Sequence, residues 1–261
     1  MRCALVLAAV VLVASPAWAD YEAGLAAAKK GDYAMAFKEW KPLAQNGDRR
    51  AQSNMGVLFA QGHGVRQDYA TAARWFQKAA EQDYAPAQHN LGYMYAHGHG
   101  VVQDYDEALK LYRASADKGY AAAEYNIGYM YSRGDGVPQD YVEAAKWFHR
   151  AAEHDHVLAQ FNIGQLHLDG RGVEQDFEQA AKWLRLAAEK GDSDAQYLLG
   201  RLYADGRGVE EDVKQAYLWT TLAASQGHEG ASVNYEEISA RMTAAEIEAV
   251  EKEARQWRAK W

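Results

Sequence analysis

Glycine recurs along this sequence at a fixed interval of 36 residues. One glycine of a repeated loop stands at Gly64, Gly100, Gly136, Gly172 and Gly208, with no insertion or deletion between them. An alanine keeps the same period, at Ala51, Ala87, Ala123, Ala159 and Ala195. A constant period of this size indicates an array of stacked units, each of which buries its apolar face against its neighbours. The sequence therefore predicts a repeat fold.

Each unit contains two segments with the spacing of an amphipathic helix. In the third unit the first segment has Ala123, Ile127, Met130 and Tyr131 on one face. The second segment shows the same spacing at Tyr141, Ala144, Ala145, Trp147, Phe148, Ala151 and Ala152. Apolar residues three and four apart form a single helical stripe. No strand pattern competes, so the expected class is all-α, an α-solenoid of stacked antiparallel helix pairs.

The loop between the two helices reads GDGVPQDYVEAAKWF in the third unit, from Gly134 to Phe148. A phosphate loop would need further glycines and a Lys or Ser/Thr at defined offsets, which this stretch lacks. Gly134 is instead predicted to end the first helix with positive φ. Asp140 and Glu143 are predicted to form a capping box at the start of the second helix. The array repeats this pair at Asp104/Glu107, Asp176/Gln179 and Asp212/Gln215, with a weaker version at Asp68/Thr71.

A second set of glycines falls inside the first helix, at Gly56, Gly92, Gly128, Gly164 and Gly200. Glycine inside a helix costs about 1 kcal/mol relative to alanine. The same cost at one position of every unit indicates that a partner helix approaches closely there.

The block APAQHNLGYMYAHGHGVVQDYDEALKLYRASADKG resembles the Sel1-like repeat, a relative of the tetratricopeptide repeat. Five such units are predicted at 48–83, 84–119, 120–155, 156–191 and 192–227. A half repeat or cap at 20–47 precedes them, and a helical cap at 228–261 follows. The resemblance implies a right-handed superhelix of 36-residue repeats and the role of an interaction scaffold, without a cofactor.

The first nineteen residues have the features of a cleavable secretory signal. Arg2 precedes an apolar run from Ala4 to Ala14, and the small residues Ala17 and Ala19 close the segment. The run is too short to span a bilayer as a helix. Cleavage is expected after Ala19, with export to the periplasm or beyond. The sole cysteine, Cys3, lies in this segment, so no disulfide is expected in the mature chain.

Charge and motifs exclude several classes of function. The net charge of −8 disfavours nucleic acid and anionic lipid, which bind clustered Lys and Arg. Acyl-transfer, zinc-protease and other catalytic motifs are missing from the sequence, so a non-enzyme is expected. His149, Glu153, His154 and His156 lie close together, but their spacing matches no known zinc signature, and no metal site is predicted.

Function is expected where the units differ on an exposed face. Three rows of the first helices vary: Ser53, His89, Tyr125, Phe161 and Tyr197; then Val57, Tyr93, Tyr129, Gln165 and Arg201; then Gln61, His97, Arg133, Asp169 and Asp205. In tetratricopeptide arrays the equivalent positions line a concave groove that contacts peptides. By that resemblance the predicted partner-binding residues are His89, Tyr93, Tyr125, Tyr129, Arg133, Phe161, Gln165, Tyr197 and Arg201.

A structural role is the alternative for part of this set. Rings in the first row could pack between neighbouring units, since aromatic side chains bury a large apolar area. The recurring Asn54, Asn90, Asn126 and Asn162 are expected to bond between adjacent helices.

The sequence leaves three functional hypotheses open. A non-catalytic exported scaffold that binds a peptide or protein partner is favoured. A regulatory role in the cell envelope, such as restraint of a sensor kinase, would be one consequence of such binding. Resemblance to a cysteine-rich secreted branch of the family implies β-lactam or peptidoglycan-related hydrolysis, but this chain lacks those cysteines and a recognisable acylating serine.

Overall fold

The computed structural model describes residues 20–258, and every regular element in that range is an α-helix. The fourteen helices are α1 (Tyr21–Lys29), α2 (Tyr33–Gln45), α3 (Arg49–Gln61), α4 (Tyr69–Ala80), α5 (Ala85–His97), α6 (Tyr105–Ala116), α7 (Ala121–Arg133), α8 (Tyr141–Glu153), α9 (Val157–Asp169), α10 (Phe177–Glu189), α11 (Ser193–Asp205), α12 (Val213–Ser225), α13 (Glu229–Ser239) and α14 (Ala244–Arg258). The predicted signal at 1–19 lies outside the described residues. The predicted all-α solenoid class is confirmed.

The described chain forms two compact units, residues 20–82 and residues 83–258. The first unit contains α1 to α4 around a core that includes Trp40, Met55 and Leu58. The indole N–H of Trp40 donates to the carbonyl oxygen of Tyr21 at 3.1 Å, which ties α2 to α1. The segment predicted as a half repeat therefore contains a short first helix as well as a second helix.

The second unit contains α5 to α14. From α5 to α13 each helix packs on the next one in the sequence, and α14 packs on α12. The predicted apolar stripes form its core. Ile127 of α7 is fully buried, and Phe148 of α8 retains only 2% exposure. Gly128 makes this contact possible, because a Cβ at that position would lie 2.8 Å from a ring carbon of Phe148. The predicted close approach at the mid-helix glycines is confirmed.

The inter-helix loop has the backbone conformation that its glycines predict. Gly134 ends α7 in the left-handed region with φ of 80°, and Gly136 follows with φ of 74°. A Cβ on Gly136 would overlap the side chain of Tyr105, which begins the second helix of the preceding repeat. Loop and preceding repeat are therefore in direct contact.

The capping box forms only in part. The carboxylate of Asp140 accepts from the backbone N–H groups of Val142 and Glu143, at 2.8 and 3.1 Å, as predicted. Glu143 does not reach back to Asp140, because the N–H of Asp140 already donates to the carbonyl oxygen of Tyr131 at 2.9 Å. The Glu143 carboxylate pairs with Lys146 instead. The N–H groups of the other four predicted caps also donate to backbone carbonyls, so the reciprocal half of the predicted box is wrong at Asp68, Asp104, Asp140, Asp176 and Asp212.

The C-terminal helices cover the end of the second unit. Val250 and Ala254 of α14 are buried, and the ring of Trp257 lies 5.5 Å from that of Trp219 in α12. Thr243 and Glu246 form a complete capping box: the backbone N–H of Thr243 donates to Glu246 Oε2 at 3.0 Å, and the backbone N–H of Glu246 donates to Thr243 Oγ1 at 3.4 Å. None of the helices in residues 20–258 is both long and apolar enough to cross a bilayer.

Candidate functional site

The predicted partner-binding residues lie on the first helices of the repeats, and they divide into two groups by exposure. We call the half-buried group, His89, Tyr125, Phe161 and Tyr197, the inner row. We call the exposed group, Tyr93, Tyr129, Arg133, Gln165 and Arg201, the exposed stripe. The two groups lie on the same face, because residues four apart on a helix are surface neighbours. They form two layers of that face, because one group is half-buried and the other is exposed.

The inner row packs against the repeat that follows. The ring of His89 lies 5.3 Å from the ring of Tyr120. Tyr125 stacks on His156 at 4.6 Å, and Tyr197 stacks on His228 at 4.4 Å. Tyr120, His156 and His228 are the N-terminal capping residues of the next first helix in each case. The inner row therefore holds successive repeats together.

Asparagine amides complete the contacts of the inner row. Asn126 Nδ2 lies 2.9 Å from Nε2 of His89, and His89 Nδ1 lies 3.2 Å from Oδ1 of Asn90. Both contacts are satisfied when the imidazole is neutral, with its proton on Nδ1 and its lone pair on Nε2. Burial lowers the pKa of His89 to about 4, which favours this neutral form. The structure thus shows the predicted bond between adjacent first helices at Asn126.

Tyr125 has the same kind of environment one repeat later. Burial raises the pKa of its phenol, the nearby Tyr129 adds to the shift, and a hydrogen bond with Asn162 opposes it. Its ring also lies 5.7 Å from the buried ring of Phe148. Tyr125 is therefore tied to α8 and to the fourth repeat.

The exposed stripe keeps its rings accessible. Tyr93 and Tyr129 are each 43% exposed, and neither ring is covered by the next repeat. Tyr93 stacks on His97 at 4.0 Å between ring centroids. The guanidinium of Arg133 lies 5.6 Å from the Tyr129 ring. These contacts with neighbours on the same helix hold both rings in place while they leave a ring face or edge free.

Charged residues flank the exposed stripe, and the order of arginine and aspartate along the chain is reversed between the third and fourth repeats. Arg133 Nε lies 3.3 Å from Asp135 in the third repeat, and Arg171 Nε lies 3.1 Å from Asp169 in the fourth. In the fifth repeat Arg201 lies 5.9 Å from the ring of Tyr197. Among residues 20–258, no carboxylate forms an ion pair with Arg201. This arginine is free to pair with a group from outside.

The histidines that raised the question of zinc point to different partners. His149 Nδ1 lies 3.5 Å from Glu153, and the ring of His156 packs on Tyr125. His154 Nδ1 lies 2.8 Å from Glu124, a carboxylate with no exposed surface. Within the part of the chain that the structure describes, no three His, Cys, Asp or Glu side chains come together as a metal site.

Glu124 is a buried residue whose role the repeat pattern did not predict. The equivalent positions hold glutamine in the other four repeats, at Gln52, Gln88, Gln160 and Gln196, and all five side chains are buried. A single acidic residue in a column of buried amides was the available signal. Its partners are Arg150 of α8, at 3.0 Å, and His154, the residue that caps the C-terminal end of α8.

Fold and repeat chemistry together define an all-helical repeat protein. The Sel1 repeat family model matches residues 49–84, 85–120, 121–156, 157–192 and 193–228, so each matched unit begins one residue after the predicted one. The chain belongs to the Sel1 repeat family. Proteins of this family generally act as scaffolds for protein–protein interactions.

Solved structures of other family members are similar to this chain. A Sel1 repeat protein from Oxalobacter formigenes is 33% identical over 91% of this chain and 99% of its own, with a TM-score of 0.77. A sel1 repeat protein from Klebsiella pneumoniae is 22% identical over 77% of this chain and 98% of its own, with a TM-score of 0.50. A protective antigen of uropathogenic Escherichia coli with an SLR fold is 27% identical over 92% of this chain and 68% of its own, with a TM-score of 0.45. No curated protein matches the chain.

Proposed function

We propose that this protein is a non-catalytic exported scaffold that binds a peptide, or an extended segment of a protein partner, on the exposed stripe. The observation that carries the proposal is the accessibility of Tyr93 and Tyr129, each 43% exposed beside the half-buried rings of the inner row. Tyrosine and arginine supply much of the energy in protein interfaces because they bury a large area at few positions. A stripe of two tyrosines and two arginines matches this composition.

The inner row supports the stripe in this proposal. His89, Tyr125 and Tyr197 are fixed by rings of the following repeat, so the helices that present the stripe are held in register. A preorganised surface loses less conformational entropy when it binds. The partner would therefore meet side chains that are already positioned.

Export is the second part of the proposal. Its support is the pattern of residues 1–19, together with the side chain of Asp20, which caps α1 by accepting from the backbone N–H of Glu22 at 2.9 Å. A chain cleaved after Ala19 would begin at this cap. N-terminal sequencing of the protein purified from its native cells tests this, since a mature chain that begins at Met1 would contradict export by cleavage.

The role in the cell envelope is proposed as binding, with regulation of the bound partner as one consequence. Neither the described residues nor the comparisons support the alternative of β-lactam or peptidoglycan hydrolysis.

Affinity capture tests the binding proposal. The bait is the chain from Asp20, run against an envelope extract of the native cells beside a variant with Tyr93→Ala and Tyr129→Ala. The matched control carries Val142→Ala and Val233→Ala, which remove exposed apolar side chains from α8 and α13. Circular dichroism must first show equal helicity in all three.

A protein retained by the native chain and by the control, and lost by the tyrosine variant, is the expected result. Equal retention by all three chains would place the interaction on another surface and overturn the assignment to the exposed stripe. Absence of any retained protein would overturn the scaffold proposal for the envelope.

A further inference from the structure

A small pocket opens between the second and third repeats, beside the exposed stripe. Its volume is about 220 Å³, and its lining includes His97, Tyr105, Tyr112, Asn126, Tyr129 and Asp135. The tyrosine rings come from α6 and α7, and the imidazole of His97 comes from α5. We call this the tyrosine pocket.

A second pocket lies between the fourth and fifth repeats. Its volume is about 200 Å³, and its lining includes Asp169, Phe177, Leu198, Arg201, Asp205 and Arg207. We call this the arginine pocket.

The two pockets are the same feature of the repeat, two units apart. Positions 97, 105, 126, 129 and 135 of the tyrosine pocket correspond, two 36-residue periods later, to positions 169, 177, 198, 201 and 207 of the arginine pocket. A cavity of this kind therefore recurs where the first helices of two successive repeats meet the start of the second helix that lies between them in the sequence. Its chemistry changes with the residues that the repeats place there.

The tyrosine pocket is ring-lined and has its charge matched internally. Asp135 pairs with Arg133 at 3.3 Å, and Tyr129 presents a ring that is 43% exposed. Burial raises the pKa of Tyr112, whose phenol also hydrogen-bonds with Asn126, so it stays neutral at ordinary pH. Rings and an amide, without a free charge, suit an aromatic side chain of a partner.

The arginine pocket has the opposite character. Asp169 is paired with Arg171, so its charge is already matched. The guanidinium of Arg207 lies 4.0 Å from the centre of the Phe177 ring. Arg201 lies in α11, and Arg207 follows the end of that helix. Among residues 20–258, neither Arg201 nor Arg207 forms an ion pair, and Asp205 offsets only one of their two charges. The pocket therefore suits a carboxylate.

From these two pockets we infer that the partner segment is an extended peptide with an aromatic side chain for the tyrosine pocket and an aspartate or glutamate for the arginine pocket. The inference rests on the proposed binding function and adds the chemistry of the partner. Helices pack about 8–10 Å apart, so pockets two repeats apart are separated by on the order of 20 Å. An extended chain rises about 3.3 Å per residue and covers that distance in about six residues.

Selection from random peptides displayed on phage tests the inference. The native chain from Asp20 is the first bait, and a variant with Arg201→Glu and Arg207→Glu is the second. The matched control carries Lys182→Glu and Lys252→Glu, the same two charge reversals on exposed side chains of α10 and α14. A fourth bait carries Tyr129→Ala.

The native and control baits are expected to enrich peptides that combine an aromatic with an acidic residue about six positions apart, the spacing that extended backbone allows. The double arginine variant should select peptides with Lys or Arg at the acidic position. Its affinity for the peptides that the native chain enriched should be at least about tenfold weaker, a change of about 1.4 kcal/mol. Tyr129→Ala should lose the aromatic preference and retain the acidic one.

Two outcomes would overturn the inference. One is enrichment by the native chain of peptides without an acidic residue, and the other is an acidic preference that survives the double arginine reversal. If either occurs while affinity capture still depends on Tyr93 and Tyr129, only the assigned chemistry fails and the scaffold proposal stands. Failure of both experiments would remove the proposed function itself.

Discussion

His154 Nδ1 lies 2.8 Å from Oε2 of Glu124, a carboxylate with no exposed surface. The equivalent residue in four other repeats is a glutamine, and in three of them its Nε2 donates to a backbone carbonyl eight positions earlier: Gln52 to Ala44, Gln160 to Ala152 and Gln196 to Ala188, at 3.0–3.1 Å. An ionised carboxylate cannot donate. In the third repeat Arg150 Nη2 lies 3.4 Å from the carbonyl oxygen of Ala116 and 3.0 Å from Glu124 Oε1. Arg150 thus supplies the donor that the amide supplies elsewhere.

Removal of Arg150 is expected to be costly because it takes one donor from each of two groups, the buried carboxylate of Glu124 and the carbonyl oxygen of Ala116. Arg150→Ala would leave the buried Glu124 carboxylate to His154 and the Ala116 carbonyl to the backbone N–H of Gly119. We therefore expect a loss of about 2–3 kcal/mol in the free energy of unfolding, less than for a fully broken buried pair, since these contacts remain and the arginine is half exposed. Urea denaturation measures it. In the Arg150→Ala background, Glu124→Gln should recover most of the loss, because an amide restores the donor. An equal loss in single and double variants would contradict this account.

Alanine substitutions at Gly136 and Gly119 distinguish the cost of backbone strain from the cost of a steric clash. Gly136→Ala should lower the free energy of unfolding by about 3 kcal/mol or more, because alanine at positive φ is strained and its Cβ overlaps Tyr105. Gly119→Ala is the matched control, with the same φ of 74° and its nearest neighbour at 3.7 Å, and should lose only about 1–2 kcal/mol. Urea midpoints of the two variants give the comparison. Equal losses would mean that the loop moves away from Tyr105 without penalty.

The buried imidazole of His89 predicts a dependence of stability on pH. Its folded pKa of about 4 lies below the usual 6.5, so the unfolded chain binds the proton more readily. Stability from this group is complete above about pH 6.5 and is lost as the pH falls towards 4, by up to about 3 kcal/mol. His156, whose pKa burial also lowers, acts in the same direction.

His89→Tyr tests this prediction, since tyrosine occupies the equivalent position in the third and fifth repeats. Urea midpoints of both chains should be measured from neutral pH to about 4.5, where the unfolded histidine is charged. The variant should lose less stability than the native chain over that range. Parallel curves would show that His89 is accessible to protons in the folded state.

The inner row and the exposed stripe should respond differently to the same substitution. Tyr125→Ala should cost about 3 kcal/mol in unfolding free energy because it removes a ring packed on His156 and Phe148. Tyr129→Ala should stay within about 0.5 kcal/mol, as is usual for exposed sites. Thermal or urea unfolding measures stability, and peptide binding measures function. A stripe variant that unfolds as readily as Tyr125→Ala would assign Tyr129 to the core.

Periodicity predicted the fold because each repeated position has a local cause. Gly134 must end a helix, Gly128 must admit Phe148, and Ala123 must be buried, so identity and spacing are enough. The reciprocal capping contact failed since a backbone carbonyl, Tyr131, competes for the same N–H group, and sequence motifs do not show such competition.

The positions of the candidate site were predictable from the sequence. Their division into the inner row and the exposed stripe was not. Tyr125 and Tyr129 have the same residue type and differ only in what the next repeat places over them. The partner ring belongs to His156, 31 positions away, and the single-repeat pattern does not contain it. The exchange of Glu124 for glutamine was visible in the sequence, but its meaning depended on Arg150, which has no counterpart of the same type in the other repeats.

The contact that the loops of the third, fourth and fifth repeats make with the preceding repeat has a consequence for how such a chain can change over time. Gly136 lies against Tyr105, and Gly172 and Gly208 lie in the same way against Tyr141 and Phe177. An inserted residue would displace the loop from a surface that leaves no room even for a methyl group. Duplication or deletion of a whole 36-residue unit leaves every such contact intact. We therefore expect the chain to lengthen or shorten in evolution by whole repeats. Each added repeat would create one more boundary between repeats, with a pocket whose lining residues can vary.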